Sequence, residues 1–196
     1  MARSYSIGSA PNPEKHVELT VERLPDGEVS PYLTEQVIVN DRLELRGPIG
    51  GWFVWRTDQD EPIQLIAGGS GIVPLMAMIR PRIAAGNSAP FRLLYSLREP
   101  EAMFYSDELN SLSAHGSFVT ITYVYTRATP KGWVRPPGRI DAALIANTTW
   151  PSKTGATYCV CGPTPFVENA AGLLNACGNE PEKIKTERFG PTGGKQ

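Results

Sequence analysis

The residues best suited to bind an anion form the run Gly68-Gly69-Ser70-Gly71, which directly follows the apolar run 63–67. An apolar run of this length is typical of a strand that is buried on both faces. Glycines let the backbone approach a ligand closely, and the free N–H groups and dipole of a following helix favour a phosphate. The pattern therefore indicates a pyrophosphate-binding turn. The candidate residues are Gly69, Ser70, Gly71 and Pro74, the last suiting the first turn of the helix.

The turn matches neither common nucleotide fingerprint. It is not Gly-x-Gly-x-x-Gly, and no Gly-Lys-Ser/Thr follows it, so ATP hydrolysis is disfavoured. A tight turn between strand and helix, whose glycines serve only packing, stays open as an alternative. The turn alone is a weak signal, and the elements around it must decide its meaning.

Composition excludes several classes of function. The 196 residues carry a net charge of -1, which gives no support for binding nucleic acid or an anionic membrane. The longest apolar segment, 63–79, is broken by glycines and too short to span a bilayer, and no leader pattern opens the chain. Cys159, Cys161 and Cys177 form no Cys-x-x-Cys pair, and His16 and His115 lack metal-ligand spacing and are expected at the surface. We expect a cytoplasmic protein without a bound metal.

The first part of the chain is predicted to be antiparallel. Val17, Leu19 and Val21 alternate with polar residues, which is typical of a half-buried strand. Further strands are predicted over 3–7 and 43–46, with a turn at 25–27. Ser30 before Pro31 has the form of a helix N-cap. A Gly-Pro loop over 47–51, an aromatic cluster and a polar linker over 57–61 follow. The cluster consists of Trp52, Phe53 and Trp55.

Beyond the linker, strands alternate with helices. This order predicts an α/β fold with a doubly wound parallel five-stranded sheet. Domains are expected over 1–58 and 59–196. Gly86 is expected to cap the first of these helices, and Pro81 within it predicts a kink or an early stop. The predicted strands are 63–67, 91–97, 118–125, 158–161 and 183–189; the predicted helices are 74–85, 105–112, 140–146 and 164–177.

Six short motifs occur in the order seen in the ferredoxin–NADP reductase superfamily, and the resemblance covers almost the whole chain. The sequence most resembles flavin reductases that feed electrons to oxygenases or haem monooxygenases, through a ferredoxin or directly. The motifs are Arg3-Ser4-Tyr5-Ser6, Gly27-Glu28-Val29-Ser30, Gly47-Pro48-Ile49-Gly50, Gly68-Gly69-Ser70-Gly71-Ile72-Val73-Pro74, Tyr95-Ser96-Leu97-Arg98 and Cys161-Gly162-Pro163.

The resemblance implies a flavin site in the first domain, with FAD favoured over FMN. It assigns Arg3 to the flavin phosphate, Tyr5 to stacking on the flavin ring and Ser6 to a hydrogen bond near flavin N5. These types suit the task, because a guanidinium pairs with phosphate oxygens and an aromatic face suits a planar ring. The resemblance also assigns Ser30 to the flavin pyrophosphate and implies that Gly47 and Gly50 bind the cofactor. Phe189 would cover the other side of the flavin ring, with packing in the core as the alternative.

The resemblance also implies a nicotinamide nucleotide site. The glycine turn would hold the pyrophosphate, and Cys161, Gly162 and Pro163 would border the nicotinamide. Ser96, Arg98 and Arg127 would reach the adenosine ribose, and an arginine there favours NADPH slightly over NADH. Each of two residues has an alternative interpretation without a ligand. Cys161 would then be a small buried hydrophobe, and Arg127 a solvated surface arginine. Ser6 and Cys161 are the expected catalytic residues.

The sequence departs from the family's pattern at the start of the chain. Members place the Arg-x-Tyr-Ser strand fourth in a six-stranded antiparallel barrel, whereas it begins here at residue 3, so the first three strands are expected to be absent. The resemblance therefore implies an α/β nucleotide-binding domain preceded by a partial antiparallel β-barrel. The expected reaction passes a hydride from NAD(P)H to FAD and then single electrons to a ferredoxin, an oxygenase or a haem partner. The alternative is a non-catalytic NAD(P)-binding module with a degraded flavin site.

Overall fold

Five parallel strands form the sheet at the centre of the fold in this computed structural model, which describes residues 3–51, 53–114 and 119–190. Their order is β3-β2-β1-β4-β5, so β1 and β4 lie side by side although two strands separate them in sequence. All six residues of β1 are buried, because helices cover both faces of the sheet. The predicted doubly wound sheet is confirmed. The strands are β1 (Ile63–Gly68), β2 (Phe91–Leu97), β3 (Val119–Tyr125), β4 (Thr157–Pro163) and β5 (Ile184–Phe189).

The helices follow the predicted order with shifted ends. The early stop expected at Pro81 is wrong, because α2 continues to Ala84. Pro81 lies in the last turn of α2, and the neighbouring Arg82 is buried and donates from Nε to the Ala89 carbonyl at 2.9 Å. Gly86 ends the helix with a φ of +60°, as predicted. The helices are α1 (Val29–Glu35), α2 (Ile72–Ala84), α3 (Ser106–Ala114), α4 (Ala142–Thr148) and α5 (Thr164–Ala176).

Two apolar cores lie on opposite faces of the sheet. Leu65 and Leu93 face the core that contains α2, whereas Ile66 and Leu94 face the core that contains α4 and α5. The alternation along each strand sends successive side chains to opposite faces. Trp55 packs in the first core, edge-on to Phe91 with ring centroids 6.2 Å apart. Three residues with sequence predictions lie outside the described residues. They are Trp52 of the predicted aromatic cluster, His115, predicted at the surface, and Phe118, predicted to begin the third strand.

The N-terminal segment, residues 3–51, differs most from its prediction. The strands expected over 3–7, 17–21 and 43–46 are not formed, and Ile7 and Leu19 make an isolated antiparallel bridge instead. A strand needs partners on its edges and a covered face, and Leu45 is 64% exposed. Ser30 is not the N-cap either, because α1 begins at Val29 and the Ser30 hydroxyl accepts from the Leu24 N–H at 3.1 Å. The barrel is thus present only in part.

The turn after β1 packs directly on the end of β4. A Cβ atom at Gly71 would overlap the carbonyl oxygen of Cys161 and lie 2.5 Å from its carbonyl carbon. A Cβ atom at Gly68 or at Gly162 would lie 2.7 Å from the Phe166 ring. Glycine is therefore required here for close packing between neighbouring elements of the protein.

We expect Gly71→Ala to lower the free energy of unfolding by about 1–3 kcal/mol, because the methyl group overpacks a rigid backbone contact. Gly172→Ala is the matched control, since it adds the same methyl group on the exposed face of α5, where a Cβ would meet nothing within 4 Å. That control should gain about 0.5–1 kcal/mol from helix propensity. Urea denaturation measures both, and equal effects from the two substitutions would contradict the packing role of Gly71.

Candidate functional site

The turn between β1 and α2 presents an open face and a polar hydroxyl. Gly69 has a φ of +55°, and a Cβ atom there would meet nothing within 4 Å, so this glycine borders open space. The Ser70 hydroxyl donates to Oε2 of Glu22 at 2.8 Å. The turn thus already holds one anionic oxygen, and this observation fits a site for a phosphate.

The glycines of the turn have separate structural tasks. Gly71 and Pro74 are both buried, Gly71 against Cys161 and Pro74 as the third residue of α2. The close approach expected of Gly71 toward a ligand is therefore made toward protein backbone. Gly69 is the glycine that faces the open side, and the nucleotide contacts of all these residues stay predictions.

The ends of β2 and β3 bring the two candidate arginines to one corner of the sheet. Ser96 pairs in register with Gly68 and is buried. Just beyond β2, the Arg98 carbonyl accepts from the backbone N–H of Arg127 at 2.9 Å. Both arginine residues are exposed. They lie at the carboxyl edge of the sheet, where ligands of doubly wound folds bind.

The end of β4 places Cys161 between β1 and β5. Its register partners are Ala67 on β1 and Glu187 on β5. Burial raises the pKa of the Cys161 thiol, and the neighbouring carboxylate of Glu187 raises that pKa further. The thiol is therefore neutral near pH 7 and is not a thiolate nucleophile. Cys161 is 1% exposed and packs in the first core, which supports its interpretation as a small buried hydrophobe, while its nicotinamide contact and catalytic role stay predictions.

The last residues of β4 and β5 lie side by side at the same edge. Gly162 packs on the Phe166 ring, whereas Pro163 is exposed and pairs in register with Phe189. Phe189 is half-buried and packs against the first core. The core-packing interpretation of Phe189 therefore has direct support, while its contact with a flavin stays a prediction.

Two carboxylates at this edge were missed by the sequence analysis. Glu187 is half-buried next to Cys161, and burial raises the pKa of its carboxyl. Glu22 accepts from Ser70 in the turn. Glu22 lies in an alternating segment and Glu187 in a mostly polar one, and in both a charged residue normally indicates the solvent face. The sequence carries no signal for Glu187, because its position beside Cys161 depends on the pairing of β4 with β5, which only the structure shows.

The flavin candidates lie in the N-terminal segment, and one of its loops reaches the sheet edge. A Cβ atom at Gly50 would lie 3.9 Å from Oε1 of Glu187, so the loop that contains Gly47 and Gly50 approaches the Cys161 end of the sheet. Arg3 is exposed, whereas Tyr5 and Ser6 are half-buried just before the bridge at Ile7. Ser30 is buried, and its hydroxyl accepts from the Leu24 N–H. The contacts of these residues with a flavin stay predictions.

Comparison with known proteins identifies the class to which this fold and site belong. The model of the oxidoreductase NAD-binding domain matches residues 65–172, and that of the oxidoreductase FAD-binding domain matches residues 1–54. The first match covers more than half of the chain. The protein therefore belongs to the oxidoreductase NAD-binding domain family, and with its partial FAD-binding domain it is a member of the ferredoxin–NADP reductase superfamily.

Individual relatives agree with this assignment. The glycine betaine monooxygenase reductase subunit of Chromohalobacter salexigens is 29% identical over 97% of this chain and 52% of its own length. NADH-cytochrome b5 reductase 1 of Emericella nidulans is 30% identical over 85% of this chain and 55% of its own. The FAD/NAD-binding domain of nitric oxide dioxygenase from Vibrio cholerae superposes with a TM-score of 0.83 at 25% identity, covering 96% of this chain and 77% of that one.

The chain spans about half the length of the curated relatives it matches. Among the helices of the described residues, none combines the length and the apolar character needed to cross a bilayer.

We expect Glu22→Gln to tighten binding of a nicotinamide nucleotide by about two- to fivefold, because it removes a negative charge from the turn that would hold the pyrophosphate. Glu180→Gln is the matched control: it removes the same charge from an exposed residue that precedes β5, at the amino edge of the sheet. Calorimetric titration with NADH and NADPH measures both variants. Equal or weaker affinity in Glu22→Gln would contradict a phosphate position beside Ser70.

Proposed function

We propose that this protein is an FAD-dependent NAD(P)H oxidoreductase that passes electrons to a protein acceptor. The observation that carries the proposal is the meeting of two parts at one edge. The segment that matches the FAD-binding domain brings Gly50 beside Glu187, and Glu187 pairs with Cys161 at the edge that also holds the glycine turn. A flavin and a nicotinamide bound by these parts would therefore be neighbours.

FAD, when bound, would supply the redox chemistry, namely acceptance of a hydride with its two electrons from C4 of NAD(P)H and release of those electrons one at a time. In the proposal, Arg3 pairs with a flavin phosphate, Tyr5 stacks on the ring and Ser6 offers a hydroxyl near it. The neutral Cys161 thiol borders the nicotinamide and places no charge beside the positive ring of the oxidised nucleotide. The protein's contribution is to hold and orient both rings.

The finer assignments are also proposals. The names of the relatives, which are reductases of monooxygenases and of cytochrome b5, support a protein electron acceptor. A ferredoxin, an oxygenase or a haem protein is the acceptor proposed for this chain. The division into domains 1–58 and 59–196 is supported by the limits of the two family matches, although Trp55 packs in the core of the sheet. The cytoplasmic location stays a prediction from the cysteine pattern.

The purified chain, supplied with saturating FAD, is expected to reduce ferricyanide in the presence of NADH or NADPH. Excess FAD is needed because we expect less than one flavin per chain after purification. We also expect the chain to self-associate. Both expectations follow from apolar side chains such as Val39 and Ile49, which are 88% exposed in the segment that would bind the flavin. Absorbance and light scattering check flavin content and association. Tight NAD(P) binding without any reduction would contradict the proposal and favour the non-catalytic module.

We expect Arg98→Ala or Arg127→Ala to lower kcat/KM for NADPH by about tenfold or more, because a charge-assisted hydrogen bond to the 2′-phosphate contributes about 1.5–3 kcal/mol. The value for NADH, which lacks that phosphate, should change much less. Lys153→Ala removes a positive charge just before β4, at the opposite edge of the sheet, and serves as the control. A parallel loss with both cofactors would contradict a 2′-phosphate contact at this corner.

A further inference from the structure

The polar residues Glu18, Thr20 and Glu22 alternate along the N-terminal segment. All three contact residues of the range 59–190, which is called the nucleotide-binding part below. Glu18 accepts from Arg80 of α2, Thr20 shares a hydrogen bond with the Tyr105 hydroxyl, and Glu22 accepts from Ser70 of the glycine turn. Alternation predicts that such a polar face points to solvent. In the structure it is the surface by which the segment contacts α2, the residue just before α3, and the turn.

Arg80 is the centre of this surface. Its Nη1 atom donates to the carbonyl of Gly8 at 2.6 Å and to Oε1 of Glu18 at 2.7 Å. Its Nε and Nη2 atoms donate to the two carboxylate oxygens of Glu108 at 2.8 and 2.7 Å. The guanidinium also lies 4.9 Å from the centroid of the Tyr105 ring. One planar side chain thus joins the N-terminal segment to α2 and α3.

These contacts are stronger than those of an ordinary surface pair. The Arg80 side chain is 23% exposed, and the hydrogen bonds that it donates to Glu108 raise the pKa of the guanidinium despite its partial burial. A bidentate, charge-assisted pair fixes direction as well as distance, whereas a solvated pair of single contacts fixes little. Lysine would keep the positive charge but not the bidentate geometry, because its ammonium group has no planar fork.

The position of Arg80 along the chain connects the two halves of the site. Gly8, whose carbonyl it binds, stands two residues after Ser6 in the segment assigned to the flavin. Arg80 itself lies on α2, the helix that starts directly after the turn Gly69–Gly71. The same helix therefore carries the proposed nucleotide turn at its beginning and the attachment of the flavin segment two turns later.

We propose that Arg80 is a positioning residue that sets the distance and orientation between the flavin-binding segment and the nucleotide-binding turn. The proposal rests on the function proposed above. Hydride transfer depends steeply on the alignment of donor and acceptor, so a small displacement of the segment would slow it without removing either binding site.

The test compares Arg80→Met and Arg80→Lys in the full chain loaded with FAD. At saturating NADH, we expect flavin reduction in single-turnover experiments to slow by about tenfold or more in Arg80→Met, with partial recovery in Arg80→Lys. NADH affinity should stay within about twofold, because the turn is intact. Arg135→Met is the control, since it breaks an ion pair with Asp141 inside the nucleotide-binding part.

A second measurement needs no activity. The N–H of Gly8 donates to the Glu18 carbonyl at 2.8 Å. Its hydrogen exchange should become faster in Arg80→Met, while exchange in β1 and β4 should not change.

An unchanged rate of flavin reduction in Arg80→Met, with an active wild-type chain, would overturn the positioning role alone. Faster exchange in β1 and β4 with a parallel loss of NADH affinity would also overturn it, because Arg80 would then support the whole nucleotide-binding fold. A wild-type chain that does not oxidise NADH in the presence of bound FAD would overturn the proposed function and this inference with it.

Discussion

The close contact between Gly71 and the Cys161 carbonyl is the constraint on which the rest of the site depends. No side chain fits between the turn after β1 and the end of β4, so the two neighbouring strands end at a fixed separation. Phe166 at the start of α5 closes the same space against Gly68 and Gly162. The packing fixes which parts of the edge stay open. The Gly69 side borders open space, whereas Cys161, whose backbone meets Gly71, is buried and its thiol stays neutral.

A second level of organisation places the N-terminal segment on this framework. Its apolar residues do not form a closed core of their own, and several remain exposed. It is held instead by polar contacts. These are the hydrogen bonds from Arg80 to Gly8 and Glu18, the Thr20–Tyr105 hydrogen bond and the Glu22–Ser70 hydrogen bond. Such contacts are directional, so they orient the segment, but they bury little apolar area and give it less stability than the sheet has.

The sheet could be predicted from the sequence because its strands are short apolar runs separated by helices, and this pattern admits few arrangements. The N-terminal strands could not, because alternation indicates which face of a segment is apolar but says nothing about which partners cover it. Glu18, Thr20 and Glu22 show the consequence: their pattern indicates a solvent face, yet they contact the nucleotide-binding part. The glycine turn was located from sequence, but only the packing distinguishes Gly71, which meets β4, from Gly69, which borders open space. Glu187 became visible only through the register of β4 with β5.

The proposed function requires one chain to bind a flavin and a nicotinamide nucleotide at one edge of the sheet, so that a hydride passes directly between them. Rapid mixing of the FAD-loaded chain with NADH deuterated on one or the other face of C4 tests it most directly. The account predicts loss of the oxidised flavin absorbance in a single turnover, slowed by a primary isotope effect for only one of the two deuterated forms, because a fixed geometry presents one face of the nicotinamide. Flavin absorbance that does not change while NADH is bound, or equal effects from both forms, would contradict it.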